Sequence, residues 1–139
     1  MKLQHHISIS ILISTLIWWI FSSWIIALSS LASGVLIDAD HGLDFLIEFR
    51  KRFTVRELIE AFNSRKLDRV RLVFHSWELL LLLVIATYLL NWNPWVAGIL
   101  IGFGQHLIFD QVFNHTKGFA YFLLWRWRNG FRYSKLFSS

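Results

Sequence analysis

The 139-residue sequence contains no cysteine and a single proline. Without cysteine there is no disulfide scaffold, no thiol nucleophile and no Cys-ligated zinc. Charge is also missing over long distances: residues 7–37 and 79–107 contain no Lys, Arg, Asp or Glu. Acidic side chains are few, nine against fourteen Lys and Arg. What is present is apolar. The chain is 55% hydrophobic and 17% aromatic, with a mean hydropathy of +0.49, which excludes disorder and does not suit an ordinary soluble globule. The net charge of +5 would suggest nucleic acid in a soluble protein, but in a membrane protein such an excess sets orientation. Nucleic-acid binding therefore fits poorly.

Asn91-Trp92-Asn93-Pro94 breaks the second uncharged stretch into spans of about 72–90 and 95–113, each near the roughly 20 residues that cross a hydrocarbon core. In the first stretch, a turn at Phe21-Ser22-Ser23-Trp24 predicts two short helices, about 7–20 and 24–37. Each would be ~21 Å long, a hairpin dipping deep into the bilayer or sitting where it is thinned. A single long helix is the competing reading. The basic residues favour the hairpin. They fall at Lys2, between Arg50 and Arg71, and between Lys117 and Lys135, and neither turn has any. With four helices these three regions share one face, the cytoplasmic one by the positive-inside rule. Trp18, Trp19, Trp24, Trp92 and Trp95 gather at the uncharged turns, as an interfacial belt does.

The predicted fold class is all-α: a small polytopic membrane bundle of four membrane helices, the first two a short hairpin, plus a cytoplasmic amphipathic helix. It forms one integral domain over 1–139, with an insert at 42–71 and a basic aromatic tail at 117–139. In the insert, Thr54-Val55-Arg56-Glu57 fits a capping box, and Val55, Leu58, Ile59 and Phe62 follow at helical spacing. Flanked by Arg56, Arg65 and Lys66, that helix suits anionic headgroups, or equally a solvated covering helix. The expected location is a bacterial inner membrane with both termini cytoplasmic.

Ionisable residues in spans cost ~2.5–3.5 kcal/mol each at the centre and so mark function. Here they collect at one end of every helix. His5 and His6 open the first, and Asp38-Ala39-Asp40-His41 closes the second. His75 and Glu78 open the third, and His106, Asp110, Asn114 and His115 close the fourth. His106, Asp110 and Asn114 share one helix face, which Gly98 and Gly102 continue as a close-packing stripe; Gly34 stands one turn before Asp38. Each feature alone has a plain structural reading: a cap in water, an interfacial histidine, a pair joining two helices. Together they form one polar layer of imidazole and carboxylate, which is how bundle-core metal sites are built. With N and O donors only, zinc comes first, then manganese or iron. Three protein ligands and an open position would lower the pKa of bound water to about 7.

The ordered set Asp38-Ala39-Asp40-His41, Arg71-Leu72-Val73-Phe74-His75-Ser76 and His106-Leu107-Ile108-Phe109-Asp110 resembles the YdjM-like family of membrane-bound metal-dependent hydrolases. That family's pattern is P-D-I-D-H, then H-R-G-x-T-H-S, then H-x-x-x-D, with a histidine entering the first helix, matched by His6 or His5. Gly118 and Trp125-Arg126-Trp127-Arg128 look like its glycine and aromatic–basic tail. Ile37 stands in place of the proline and Val70 in place of the leading histidine, and the glycine and threonine of the second motif are missing.

The expected function is metal-dependent hydrolysis at the cytoplasmic interface. His6, Asp38, Asp40, His75, His106 and Asp110 are the ligand candidates. His41 is a spare ligand or supporting partner, and Glu78 a general base. Arg71, Arg126, Arg128 and Asn114 are set to hold a phosphorylated, lipid-type substrate. The alternative is a non-enzymatic interaction or stress-response protein whose polar layer is structural. A conduit is disfavoured because the polar residues stop halfway along the helices.

Overall fold

The computed structural model describes residues 3–49, 54, 69–114, 116 and 118–136. Helix α1 (Leu3–Phe21) ends at Ser22, whose φ of 49° turns the chain. Ser23 then takes an extended conformation and its hydroxyl accepts from the Ile26 amide, capping α2 (Trp24–Leu36). After a two-residue bend, α3 runs from Ala39 to Phe49. Ser76 caps α4 (Trp77–Leu89). The turn that follows places Asn91 and Trp92 in the left-handed region, and Asn93 Oδ1 accepts from Trp95 N at 3.0 Å. Proline opens α5 (Pro94–Phe113), where its missing N–H costs nothing. Two short helices, α6 (Leu123–Arg128) and α7 (Tyr133–Leu136), complete the chain.

The architecture is all-helical: among the described residues there is no strand, and Arg69 and Arg132 form an isolated bridge. Helix α5 is the hub: it packs most extensively on α2, and also on α4 and α1, while α1 and α2 pack on each other. The α2–α5 contact is backbone to backbone. A Cβ at Gly98 would lie 2.5 Å from Ile26 O, and one at Gly102 would lie 2.1 Å from Ser30 O. Ser33 Oγ donates across the contact to Ile99 O at 3.2 Å. Such small-residue seams let helices associate where no water drives them together.

Inside and outside are inverted relative to a soluble protein. Among the described residues, buried polar side chains outnumber buried apolar ones, while Trp19, Tyr88, Leu89 and Val112 stand about 70% or more exposed or close to it (77%, 70%, 70% and 69%). Among the described residues, two helices are long and apolar enough to cross a membrane: Gln4–Phe21 within α1, and Pro94–Phe113.

Several boundaries depart from the sequence reading. Helix α1 starts at Leu3 and reaches a spanning length, so the first of the two short helices is not short. Helix α4 begins at Trp77 rather than near 72, because 70–76 is an irregular segment, with Leu72 at φ 41° and Ser76 serving as the cap. Asp40 and His41 start α3 instead of ending α2. The proposed amphipathic helix and its capping box lie outside the described residues, apart from exposed Thr54.

Candidate metal centre

The irregular 70–76 segment carries His75 and is gripped from both sides. From α3, Asp44 Oδ2 accepts from Arg71 N (2.5 Å) and Leu72 N (3.0 Å), and Asp40 Oδ2 accepts from Phe74 N. From α6, Arg126 donates to Leu72 O (2.8 Å) and His75 O (2.7 Å). Buried backbone groups outside a helix need such partners. Asp40 and Asp44 reach the segment together because they are one helical turn apart. Arg126 is 1% exposed, and burial pulls its guanidinium down to about 10, still charged at neutral pH. Burial raises the Asp44 carboxyl, opposed by the two amides it accepts from.

Four donor atoms converge against this segment. His75 Nε2 and His106 Nε2 are 3.2 Å apart. Asp38 Oδ1 lies 3.6 Å from the first and 3.4 Å from the second. Asp110 Oδ2 lies 3.6 and 3.7 Å from them. These five separations run from 3.2 to 3.7 Å, with each carboxylate oxygen facing both nitrogens. Ligand bonds of about 2.0–2.2 Å, as N and O donors make to zinc, give tetrahedral edges of about 3.3–3.6 Å.

Hydrogen bonding on the far side of each ring fixes what the convergent nitrogens are. His106 Nδ1 lies 2.8 Å from Gly34 O, and a carbonyl can only accept, so Nδ1 carries a proton and in the neutral ring Nε2 holds a lone pair. His75 Nδ1 faces the Asp40 carboxylate at 3.5 Å, with the same consequence. Two imidazole lone pairs that face each other at 3.2 Å require a cation or a proton between them. The donor set, with its outer partners already in place, fits a divalent ion.

Two further histidines flank the four donors. His6 Nε2 lies 3.0 Å from Asp110 Oδ1, and its ring stacks on His106 with centroids 4.1 Å apart. His41 Nε2 lies 3.9 Å from Asp38 Oδ1, and its ring meets His75 edge-on. The two groups able to hold an ion, His6–His106–Asp110 and Asp38–His41–His75, thus adjoin through the His75–His106 contact. Among the ligand candidates, Asp40 meets His75 on its outward nitrogen. His75 is fully buried, and His6, Asp38, His106 and Asp110 are each 5% exposed or less.

The other sequence candidates are placed differently. Glu78 directs both carboxylate oxygens at the start of α6, accepting from Leu123 N (2.9 Å) and Leu124 N (3.1 Å). Arg71 Nη1 lies 3.8 Å from Asp44 Oδ1. Arg128 is exposed, and Asn114 Nδ2 donates to the Tyr121 hydroxyl at 3.0 Å. His115 lies outside the described residues.

Tyr121 and Asp44 were not anticipated from the sequence. Tyr121 is buried, and its phenol is pushed up first by burial and then by the Asp110 carboxylate, so it stays neutral beside that acid. Its backbone carbonyl accepts from Trp77 N at 3.0 Å, tying the tail to the mouth of α4. The i, i+4 spacing of Asp40 and Asp44 was a usable signal for Asp44; for Tyr121 there was none.

No family model matches this chain. No curated protein and no solved structure matches it either.

Proposed function

We propose that this chain is an integral membrane hydrolase whose metal centre lies at the cytoplasmic interface of a bacterial inner membrane. The observation that carries the reading is that Asp38 Oδ1 and Asp110 Oδ2 each lie 3.4–3.7 Å from both His75 Nε2 and His106 Nε2, which are 3.2 Å apart. The two-His, two-carboxylate donor set and the separations favour zinc, with manganese or iron next. A bound divalent ion supplies Lewis acidity and an acidified water at neutral pH. His41, partly exposed beside Asp38, is the group best placed to move a proton, since Glu78 is engaged by the α6 amides. The apolar exterior and the resemblance to YdjM-like hydrolases support a phosphorylated lipid as substrate, its head held by exposed Arg128 and part-exposed Arg71. Asn114 and Arg126 serve this reading indirectly, by fixing Tyr121 and the 70–76 segment. The clustering of every Lys and Arg away from the two uncharged turns supports cytoplasmic termini.

Metal analysis of the purified protein beside His106→Ala and Asp38→Ala tests the centre. Stoichiometric metal in the parent and loss in both variants is expected; full occupancy in both variants overturns the reading. Release of phosphate from lipid phosphates by the loaded parent, absent from His106→Ala, tests the reaction.

One observation favours a second reading. Four protein donors and near-complete burial describe a closed site, the hallmark of a structural ion, whereas a catalytic ion keeps or opens a further position. The chain would then be a non-enzymatic membrane protein. Chelation distinguishes the two: a structural ion is needed for the fold, a catalytic one for turnover.

A further inference from the structure

Three helices carry polar or small stripes that continue inward from the metal centre. On α1 these are His6, Ser10 and Ser14; on α2, Ser30 and Gly34, with Asp38 in the bend that follows; on α5, Gly102, His106 and Asp110, with Gln105 beside them. Each set repeats at four-residue spacing, so each occupies one helix face. The faces meet. Gln105 Nε2 donates to Ser10 Oγ at 3.3 Å, and a Cβ at Gly34 would lie 2.6 Å from that nitrogen and 2.8 Å from Ser10 Oγ. Gly34 O is also the acceptor of His106 Nδ1. Ser14 on α1 and Ser30 on α2 each stand one helical turn further from the metal centre than Ser10 and Gly34.

Along this seam the polar atoms stop having partners. Ser14 Oγ, Ser30 Oγ, Gln105 Oε1 and Asp38 Oδ2 are buried and accept or donate no hydrogen bond among the described residues. Ser14 is 6% exposed, Ser30 fully buried and Gln105 8% exposed. Other hydroxyls in the same helices are satisfied by the carbonyl one turn back, as Thr15 is by Ile11 O and Ser29 by Ile25 O. Ser14 and Ser30 use no such local bond. Turning the Gln105 amide over does not help, because either way one of its two ends lacks a protein partner. Several orphaned polar atoms on stripes of three mutually packed helices, next to a polar centre, are the usual signature of buried water.

We infer that the seam between α1, α2 and α5 is a water-binding site, holding at least one ordered molecule among Ser14, Ser30 and Gln105, directly behind the metal centre. Ile17, at the next turn of α1 beyond Ser14, is buried and apolar. The hydration stands on the orphaned atoms alone. Its use as a local water supply for a centre otherwise closed rests on the hydrolase reading above.

The test uses the full chain, purified in detergent, whatever ion it carries. A structure at a resolution that shows ordered solvent should contain a water within hydrogen-bond distance of at least one of Ser14 Oγ, Ser30 Oγ and Gln105 Oε1; a dry seam overturns the inference. Oxygen-17 relaxation dispersion gives a second readout by counting long-lived internal waters. Ser30→Val fills the space and removes the hydroxyl, so the count should fall by one or more, and an unchanged count overturns the inference. Should that variant not fold, Ser14→Ala reports through Tm. Removing a truly orphaned hydroxyl raises Tm and overturns the inference, whereas removing one bound to water leaves Tm unchanged or lowers it. None of these readouts depends on metal, so the metal centre can fail its own test while the seam stands.

Discussion

His75 Nε2 and His106 Nε2 point at each other across 3.2 Å, each ring anchored behind by an acceptor, Asp40 for the first and Gly34 O for the second. That arrangement is unfavourable without a positive charge between the rings, so the ion and the fold are coupled. Anything that binds the folded state alone stabilises it, by about 2.7 kcal/mol when the ligand stands at a hundred times its Kd. Chelating the purified protein should lower Tm by several degrees, and re-adding zinc should restore it. His106→Ala should show neither response. A Tm indifferent to chelator in the parent would mean that a shared proton, and not an ion, holds the two rings together.

Asp40 should act on the metal without touching it. Its Oδ2 accepts from Phe74 N and faces His75 Nδ1. Outer partners of this kind, when removed, cost about 10–100-fold in metal affinity. Asp40→Asn keeps an acceptor for Phe74 but loses the negative charge behind His75. Metal titration should therefore give affinity weakened within that range, with helix content unchanged by circular dichroism. Parent-like affinity would assign Asp40 to the backbone alone.

The two uncharged turns were legible in the sequence, and the way the site is fastened was not. Ser22-Ser23 and Asn93-Pro94 mark those turns and carry capping chemistry, whereas Ser76, the cap of α4, fell inside the expected span of 72–90. The polar layer was legible too, because His75, His106, Asp38 and Asp110 stand out in apolar surroundings. What stayed hidden depends on long-range closure. Nothing local shows that Glu78 caps α6, forty-five residues on, or that Arg126 reaches back to Leu72 O and His75 O. A basic residue in an aromatic tail reads as a headgroup or phosphate contact until the segment it folds against is known. Likewise the hydropathy of 72–76 matches a helix, and only the Asp40, Asp44 and Arg126 contacts explain why the backbone there is irregular.

Arg126 should therefore behave as a clamp. Its guanidinium satisfies two buried carbonyls of the segment that carries His75, and hydrogen bonds from charged groups contribute about 1.5–3 kcal/mol each. Arg126→Met should lower stability by roughly 3 kcal/mol or more and weaken metal binding with it. Arg126→Lys should recover little, because an ammonium cannot span both carbonyls as a planar fork does. Denaturation in mixed micelles, read by tryptophan fluorescence, measures both. Full rescue by lysine would show that charge alone is what the position needs.

The close approach of α2 and α5 makes two glycines of one helix behave oppositely. At Gly102 an added Cβ would sit 2.1 Å from Ser30 O and 2.1 Å from Ser33 Oγ, and the first of these is backbone that has no rotamer to yield. Gly102→Ala must push the helices apart, moving Gly34 O away from His106, and overpacking of this kind costs about 1–3 kcal/mol. Gly104 faces α4 instead, where the nearest atom to a new Cβ is Leu80 Cδ1 at 3.6 Å, an ordinary contact. Gly104→Ala should stabilise by up to about 1 kcal/mol, from helix propensity alone. The pair is best read by Tm together with metal content: Gly102→Ala lower in both, Gly104→Ala equal or higher in Tm with its metal retained. A parent-like Gly102→Ala would break the link between helix approach and the metal centre, since that approach is what brings the α2 backbone within hydrogen-bonding distance of His106.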